Sequence, residues 1–165
     1  MNPDNLKIVQ CDFSNPIHQK HVVRLIDSYM HDEMGGGGAL PEDRKQPLVE
    51  GLAAHPACFL LFAVLDEEFV GLTTCFVNFS TFKAKPYINI HDVFVSGGQR
   101  GKGIGRKLLE AVIAIARERD YCKVTLEVRD DNDHAQKLYQ SLGFRDCKPV
   151  MHFWTLTDDN FVPRD

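Results

Sequence analysis

Gln99-Arg100-Gly101-Lys102-Gly103-Ile104-Gly105-Arg106 puts three glycines and three cations into eight residues. The run follows a β-rich stretch and opens an amphipathic one, where backbone N–H groups are unpaired and a helix dipole presents positive charge. Glycines let the backbone wrap an anion without Cβ interference, so a pyrophosphate suits this loop. A P-loop would need Lys-Ser or Lys-Thr after its last glycine, which is absent. A G-x-G-x-x-G dinucleotide loop would need other spacing and an acid about 20 residues on, closing a second strand. The nearest acid there, Glu127, lies within a strand-like run. These two departures argue against an ATP-binding module; a ligand-free turn is the plain alternative.

Two titratable groups lie just before the loop. Strict alternation along residues 88–94 puts Ile88, Ile90, Asp92 and Phe94 on one strand face, with Asn89 and His91 on the other. A carboxylate alone in an apolar row would be desolvated and its pKa raised, which suits a base. The alternative for Asp92 is a structural ion pair with Arg129 or another cation. His91 has the right unperturbed pKa for proton transfer; its alternative is a hydrogen-bonded core histidine. Farther on, Asn132 and Tyr139 stand seven residues apart, on one face of a short helix. Tyr139 is either a donor to a reacting atom or a core aromatic.

The elements that must position these groups follow from periodicity. Residues 6–11 read as a first strand. Asn15-Pro16 starts a helix over 16–33, which Gly35–Gly38 ends. That tetraglycine is a loose loop, a hinge, or a place of close approach to the backbone. Leu48, Val49, Leu52 and Ala53 suggest a second helix ending before Pro56, with Pro47 inside it. Cys58–Leu65 and Phe69–Phe79 form a hairpin across a polar turn, and Tyr87–Val95 is a third long strand. Ile104, Leu108, Val112 and Ile115 mark a helix to about Arg119, followed by a strand over 123–128 and a helix closed by Gly143. Two further strands are expected near 144–148 and 150–156. The fold class is α/β, a mixed sheet of about seven strands with about four helices.

The chain has 165 residues, 44% of them hydrophobic, and a formal net charge of −4. That suits one domain and supplies no basic field for nucleic acid. The longest apolar run, about eight residues, is far below the ~20 of a membrane span. The N-terminus lacks a signal-peptide pattern. Five scattered cysteines without a Cys-x-x-Cys pair point to reduced thiols and a cytoplasmic setting. Cys122 has no basic partner pattern and reads as a buried thiol. His134, His152 and Asp158-Asp159 show no metal spacing, so no metal is expected.

Arg100-Gly101-Lys102-Gly103-Ile104-Gly105 resembles the R/Q-x-x-G-x-G/A pyrophosphate motif of the GNAT superfamily of acyl-CoA-dependent N-acetyltransferases. Ile90–Val95 looks like that family's central strand, and residues 132–144 look like its N-x-x-A-x-x-x-Y-x-x-x-G-F signature. The likeness covers residues 58–147; residues 1–57 match only in plan. It implies one domain over 1–165: an acceptor side (1–57), a cofactor-binding core (58–147), and a terminal strand and tail (148–165). It implies acetyl-CoA as co-substrate, its pantetheine pairing with the backbone of Val93, Phe94 and Val95 by strand addition. The pyrophosphate would sit on Arg100, Gly101, Lys102, Gly103, Ile104, Gly105 and Arg106, with Asn132, Ala135 and Leu138 on the far side.

Acetyl transfer to an amine needs a deprotonated amine, donors for the oxyanion, and a donor for the departing thiolate. The resemblance gives Tyr139 the last task. Tyr139 at pKa ≈ 10 would protonate a thiolate of ≈ 8.5 only against roughly 2 kcal/mol. Asp92, then His91, are the base candidates, and a backbone N–H near Val93 the oxyanion donor. Residues 27–50 hold six acids and two bases, which would draw a cationic amine or simply be a solvated face. There is a loose likeness to the spermidine/spermine branch. The acceptor is a small-molecule or peptide amine, the last strands (151–156) are a candidate homodimer interface, and a non-catalytic acyl-CoA sensor on the same fold is the rival reading.

Overall fold

A computed structural model describes residues 5–156. Strand β1 (Leu6–Gln10) leads into α1 (Pro16–Met30), then α2 (Glu42–Ala54). Strands β2 (Cys58–Leu65), β3 (Glu68–Ser80) and β4 (Lys85–Val95) follow, then α3 (Ile104–Glu118), β5 (Val124–Leu126) and α4 (Asp133–Ser141). The five strands form one sheet in chain order. β1 to β4 are antiparallel neighbours, and β5 joins β4 in parallel after the α3 crossover.

Both sheet faces are covered. Leu60, Phe62, Leu72 and Phe94 pack with Val22 and Leu25 of α1, and Leu48 and Leu52 of α2 complete that layer. Phe59, Leu61, Ala63, Ile88 and Ile90 pack on the opposite face against Ile104, Leu108, Leu109 and Val112 of α3. Alternation along β2 and the 3.6 period along α3 produce these two apolar layers. Asn15 caps α1 by accepting from Ile17 N–H at 2.9 Å, with Pro16 at the first helical position.

Two expectations are corrected. α1 ends at Met30, ahead of the glycines, because Gly38 N–H caps the Met30 carbonyl at 2.9 Å. As expected, Pro47 lies inside α2, at its sixth residue, where the bond its N–H would give to the Asp43 carbonyl is lost. The strands expected near 144–148 and 150–156 are absent, so the sheet has five strands among the described residues rather than about seven. Val150, Met151, Phe153, Trp154 and Leu156 are all exposed. Strand propensity alone does not order a run without a paired edge. β5 offers only three residues, and Pro149 has no N–H to give. Residues 157–165, including Asp158-Asp159, lie outside the described residues.

Candidate active site

β4 carries the site because its two halves do different things. Ile88, Asn89 and Ile90 pair with Val124, Thr125 and Leu126 of β5, and there the pairing stops. From His91 to Val95, β4 runs on with no strand on that side among the described residues. Its backbone groups there are open to a ligand that can add as a strand.

The same place holds a β-bulge. Thr74 pairs with Asp92 and Cys75 with Ile90, so His91 is an extra residue in β4. The bulge corrects the alternation expected for this strand. Ile88 and Ile90 belong to the α3 layer together with Val93 and Val95, while Phe94 belongs to the α1 layer. Asp92 therefore shares Phe94's face. His91 joins it: its ring lies 5.8 Å from Phe76, which is 4.9 Å from His55 at the end of α2. A bulge sets two residues against one and re-aims side chains; here it brings His91 and Asp92 together on the α1 side. His91 is exposed and is no core histidine.

Burial pushes the Asp92 carboxyl above the ordinary carboxylate value, against smaller opposing effects of His91 and the Thr74 hydroxyl. Among the described residues no ion pair forms with it. Arg129 makes a bidentate pair with Asp131, Nε to Oδ1 at 2.8 Å and Nη2 to Oδ2 at 2.6 Å, and the expected Asp92–Arg129 pair does not form. Tyr29 of α1, whose ring is 5.5 Å from Phe94, senses both Asp92 and Arg129. Burial, reinforced by the Asp92 and Asp32 carboxylates and opposed by Arg129, raises its phenol. Tyr139 of α4 is pushed up to about 12, by burial first and by Tyr29 second. Tyr29, Asp92 and Tyr139 thus converge where β4 leaves β5. Sequence reasoning placed Tyr29 only on a helix face and did not single out Thr74.

The glycine loop closes the end of β4. A short 3-10 turn, Gly97–Gln99, precedes it. Gly101 and Gly103 both have φ +77°, and Gly103 is the residue before α3. A left-handed backbone favours glycine, and open space stands where a Cβ would be at either position. The first intrahelical bond of α3 is Lys107 N–H to Gly103 O, 3.0 Å. Ile104, Gly105 and Arg106 thus present first-turn N–H groups. Leu138 of α4 lies against Gly105.

The loop's side chains are largely committed. Arg100 donates to the Val95 carbonyl and to Asp32. Lys102 donates to Gln99 Oε1, and Arg106 to Ser141 Oγ. Asn132 accepts from Ala135 N–H at 3.1 Å, so it caps α4. Anion recognition in this loop rests on backbone N–H groups and the helix dipole, with these cations framing it. The open β4 edge, the glycine cradle and the helix terminus fit a ligand carrying amides and a pyrophosphate, as acetyl-CoA does. No cluster of metal-ligating side chains occurs among the described residues, and no helix among them is long and apolar enough to cross a membrane.

The acidic stretch 27–50 is partly neutralised. Asp27 accepts from Leu40 N–H, Asp32 pairs with Arg100, Glu42 with Lys45, and Glu50 accepts from Gln46. Only Arg100 comes from outside the stretch, and the neutral donors leave Asp27 and Glu50 charged, so the sequence count falls by one charge.

Residues 22–144 match the Acetyltransferase (GNAT) family. The chain belongs to this family. An uncharacterized N-acetyltransferase of Archaeoglobus fulgidus is 38% identical over 87 residues, 52% of this chain and 59% of that protein. The chain thus spans less than two thirds of that relative's length. An N-alpha-acetyltransferase of Sulfurisphaera tokodaii is 32% identical over 132 residues, 75% of this chain and 78% of that one. Among solved structures, a probable acetyltransferase superposes with TM-score 0.79 at 25% identity, covering 93% of this GNAT chain and 99% of its own.

Proposed function

We propose that this protein is an acetyl-CoA-dependent N-acetyltransferase that moves an acetyl group directly to a primary amine of a small molecule or peptide. The observation that carries this reading is the parting of β4 from β5 after Ile90, with the open strand running straight into the glycine loop. When bound, acetyl-CoA supplies an activated thioester. Everything else falls to the chain.

In this reading the Val93–Val95 backbone aligns the pantetheine, and a backbone N–H near Val93 faces the acyl oxygen. Asp92, raised by its buried setting, takes the proton from the amine; His91 is the second candidate beside it. Tyr139 donates a hydrogen bond to the departing sulfur. Its phenol at about 12 argues against full proton transfer: giving that proton to a thiolate of ≈ 8.5 would be roughly 5 kcal/mol uphill. Direct transfer is favoured because both thiols that feel Asp92 are raised, Cys58 to about 11 and Cys75 to about 12, each by burial first. A thiol at such a value is almost never the thiolate that nucleophilic attack requires.

The exposed apolar side chains between Val150 and Leu156 support a homodimer through this segment. The free cysteines support a reducing, cytoplasmic setting.

The test is a thermal shift with acetyl-CoA, CoA and ATP, followed by free-thiol release over a panel of amines. Saturation at 100-fold Kd adds about 2.7 kcal/mol, a Tm rise of about 5–10 °C for a chain this size. Stabilisation by both CoA species but not ATP, with amine-dependent thiol release, is expected. Binding without turnover on any amine would overturn the transferase reading, and no shift with either CoA species would overturn the cofactor assignment.

A further inference from the structure

Among the described residues, one buried side-chain oxygen completes no hydrogen bond: Thr74 Oγ1, which nonetheless stands near enough to the Asp92 carboxyl to act downward on its pKa. Thr74 is 1% exposed and sits in the middle of β3. A buried hydroxyl left unpaired is costly, whereas valine would fill the same shape without that cost. Its neighbour Thr73, equally buried, is in contact with Cys75 Sγ at 3.7 Å. Thr74 points to the other face, shared with Leu72 and the α1 layer. Directly across the strand pair stands Asp92, at the step where the register shifts around His91.

We propose that Thr74 is a positioning residue for Asp92: its hydroxyl donates to the Asp92 carboxylate when that group is ionised and holds it toward the acceptor amine. This rests on the reading of Asp92 as the base. In the proton step an ammonium N–H bond breaks, its electron pair stays on nitrogen, and the proton goes to an Asp92 oxygen. The Thr74 O–H bond is not broken. The bulge is what makes the arrangement available, because it turns Asp92 from the α3 face to the face where Thr74 points.

The other groups around Asp92 leave this role to Thr74. Tyr29 of α1 is a raised phenol that senses the carboxylate, and Cys58 of β2 is a raised thiol. Cys75 of β3 is hydrogen-bonded to Thr73 and lies in the α3 layer. His91 adjoins Asp92 on β4, and Arg129 beyond Tyr29 is taken by Asp131. Tyr139 of α4 is raised by burial and by Tyr29. The hydroxyl opposes the upward push of burial on Asp92, so removing it should drive the carboxyl higher still.

The experiment compares Thr74→Val with Thr74→Ser in the full chain. The Asp92 titration is followed by carbon NMR of labelled aspartate, assigned with Asp92→Asn, and the acidic limb of kcat/KM by thiol release. Thr74→Val should move both upward by about 0.5–1 pH unit, one hydrogen bond's worth, with thermal stability relative to wild type falling as pH rises through that range. Thr74→Ser should return both to wild type. An unmoved Asp92 titration in Thr74→Val, or equal displacement in both variants, would overturn the proposal. The NMR titration needs no turnover, so a wild type inactive on every amine would sink the transferase reading while the Thr74–Asp92 link is judged separately.

Discussion

Arg100 donates to the Asp32 carboxylate at 2.5 Å and to the Val95 carbonyl at 3.0 Å, tying the loop after α1 to the end of the open strand. Its guanidinium also lies over the Phe94 ring, 5.8 Å from the centroid. One side chain therefore joins the segment after α1 to the glycine loop and the end of β4. Burial acts to raise the Asp32 carboxyl, but the hydrogen bonds from Arg100 and from Met34 N–H outweigh it and hold it below its ordinary 3.8.

Because that carboxyl is depressed in the folded state, its contribution is complete above 3.8 and is lost as pH falls through the folded value. Arg100 is 45% exposed, so solvent screening limits the pair to about 1 kcal/mol or less. Asp32→Asn should lower Tm by about 1–3 °C at pH 7. The gap to wild type should close as melts are taken progressively below pH 4; a gap that persists unchanged there would refute the electrostatic account.

The four glycines after α1 are not equivalent. A Cβ on Gly35 would stand 1.8 Å from the Tyr29 carbonyl oxygen, whereas one on Gly38 meets nothing. Gly35→Ala should cost about 1–3 kcal/mol by overpacking, and should disturb Tyr29 and hence activity. Gly38→Ala, at a position without a left-handed φ, should be neutral or stabilising by up to about 1 kcal/mol through the unfolded chain. Melting curves of the two variants decide this, and equal melting points would show that the close approach is relieved at no cost.

How much of this was legible in the sequence depended on how local each cause was. The glycine loop, the α3 face and the β2–β3 hairpin are written in consecutive residues, and the structure has them where periodicity put them. The bulge at His91 is not: nothing in residues 88–95 marks it, because it exists only in register against β3. One extra residue reversed the face assigned to Asp92. Partners distant in sequence, such as Asp32 and Arg100, leave no local pattern either. The last strands failed for the opposite reason. Residues 150–156 have strand composition, but pairing requires an edge, and β5 supplies three residues.

Tyr139 stands at about 12, raised by burial and by Tyr29. Tyr139→Phe should lower kcat about 100-fold, as removal of a single donor from a reacting centre commonly does. The KM for acetyl-CoA should stay within a factor of about three, since the loop contacts are untouched. The basic limb of the kcat profile should keep its position below pH 10, because this phenol does not ionise there. Unchanged turnover would leave Tyr139 as packing against Phe144, whose ring lies 6.0 Å away.

Cys58 lies close enough to Asp92 for the carboxylate to add to the burial that raises its thiol to about 11. At neutral pH its thiolate fraction is on the order of 10⁻⁴. Cys58→Ser should therefore keep kcat within about threefold, and mass spectrometry of protein quenched with acetyl-CoA should find no added acetyl group. Stoichiometric acetylation at Cys58 during turnover would replace direct transfer with a two-step route.

Asp92 ties stability to activity with opposite signs. Its carboxyl is raised in the folded state, burial being the largest cause, so the folded chain binds more protons than the unfolded one above pH 3.8. Stability from this group therefore declines as pH rises from 3.8 to the folded value, and the deficit persists at higher pH. Asp92→Asn removes the deficit. Its Tm should equal wild type near pH 4, exceed it increasingly as pH rises, and hold a constant lead beyond the folded value. The same substitution should abolish the acidic limb of kcat/KM and lower turnover about 100-fold or more, the worth of a general base. Paired melts and rate profiles across pH 4–9 test both halves. A variant less stable than wild type at pH 8 would mean that Asp92 is held by a stabilising partner, and an intact acidic limb would move the proton step to His91.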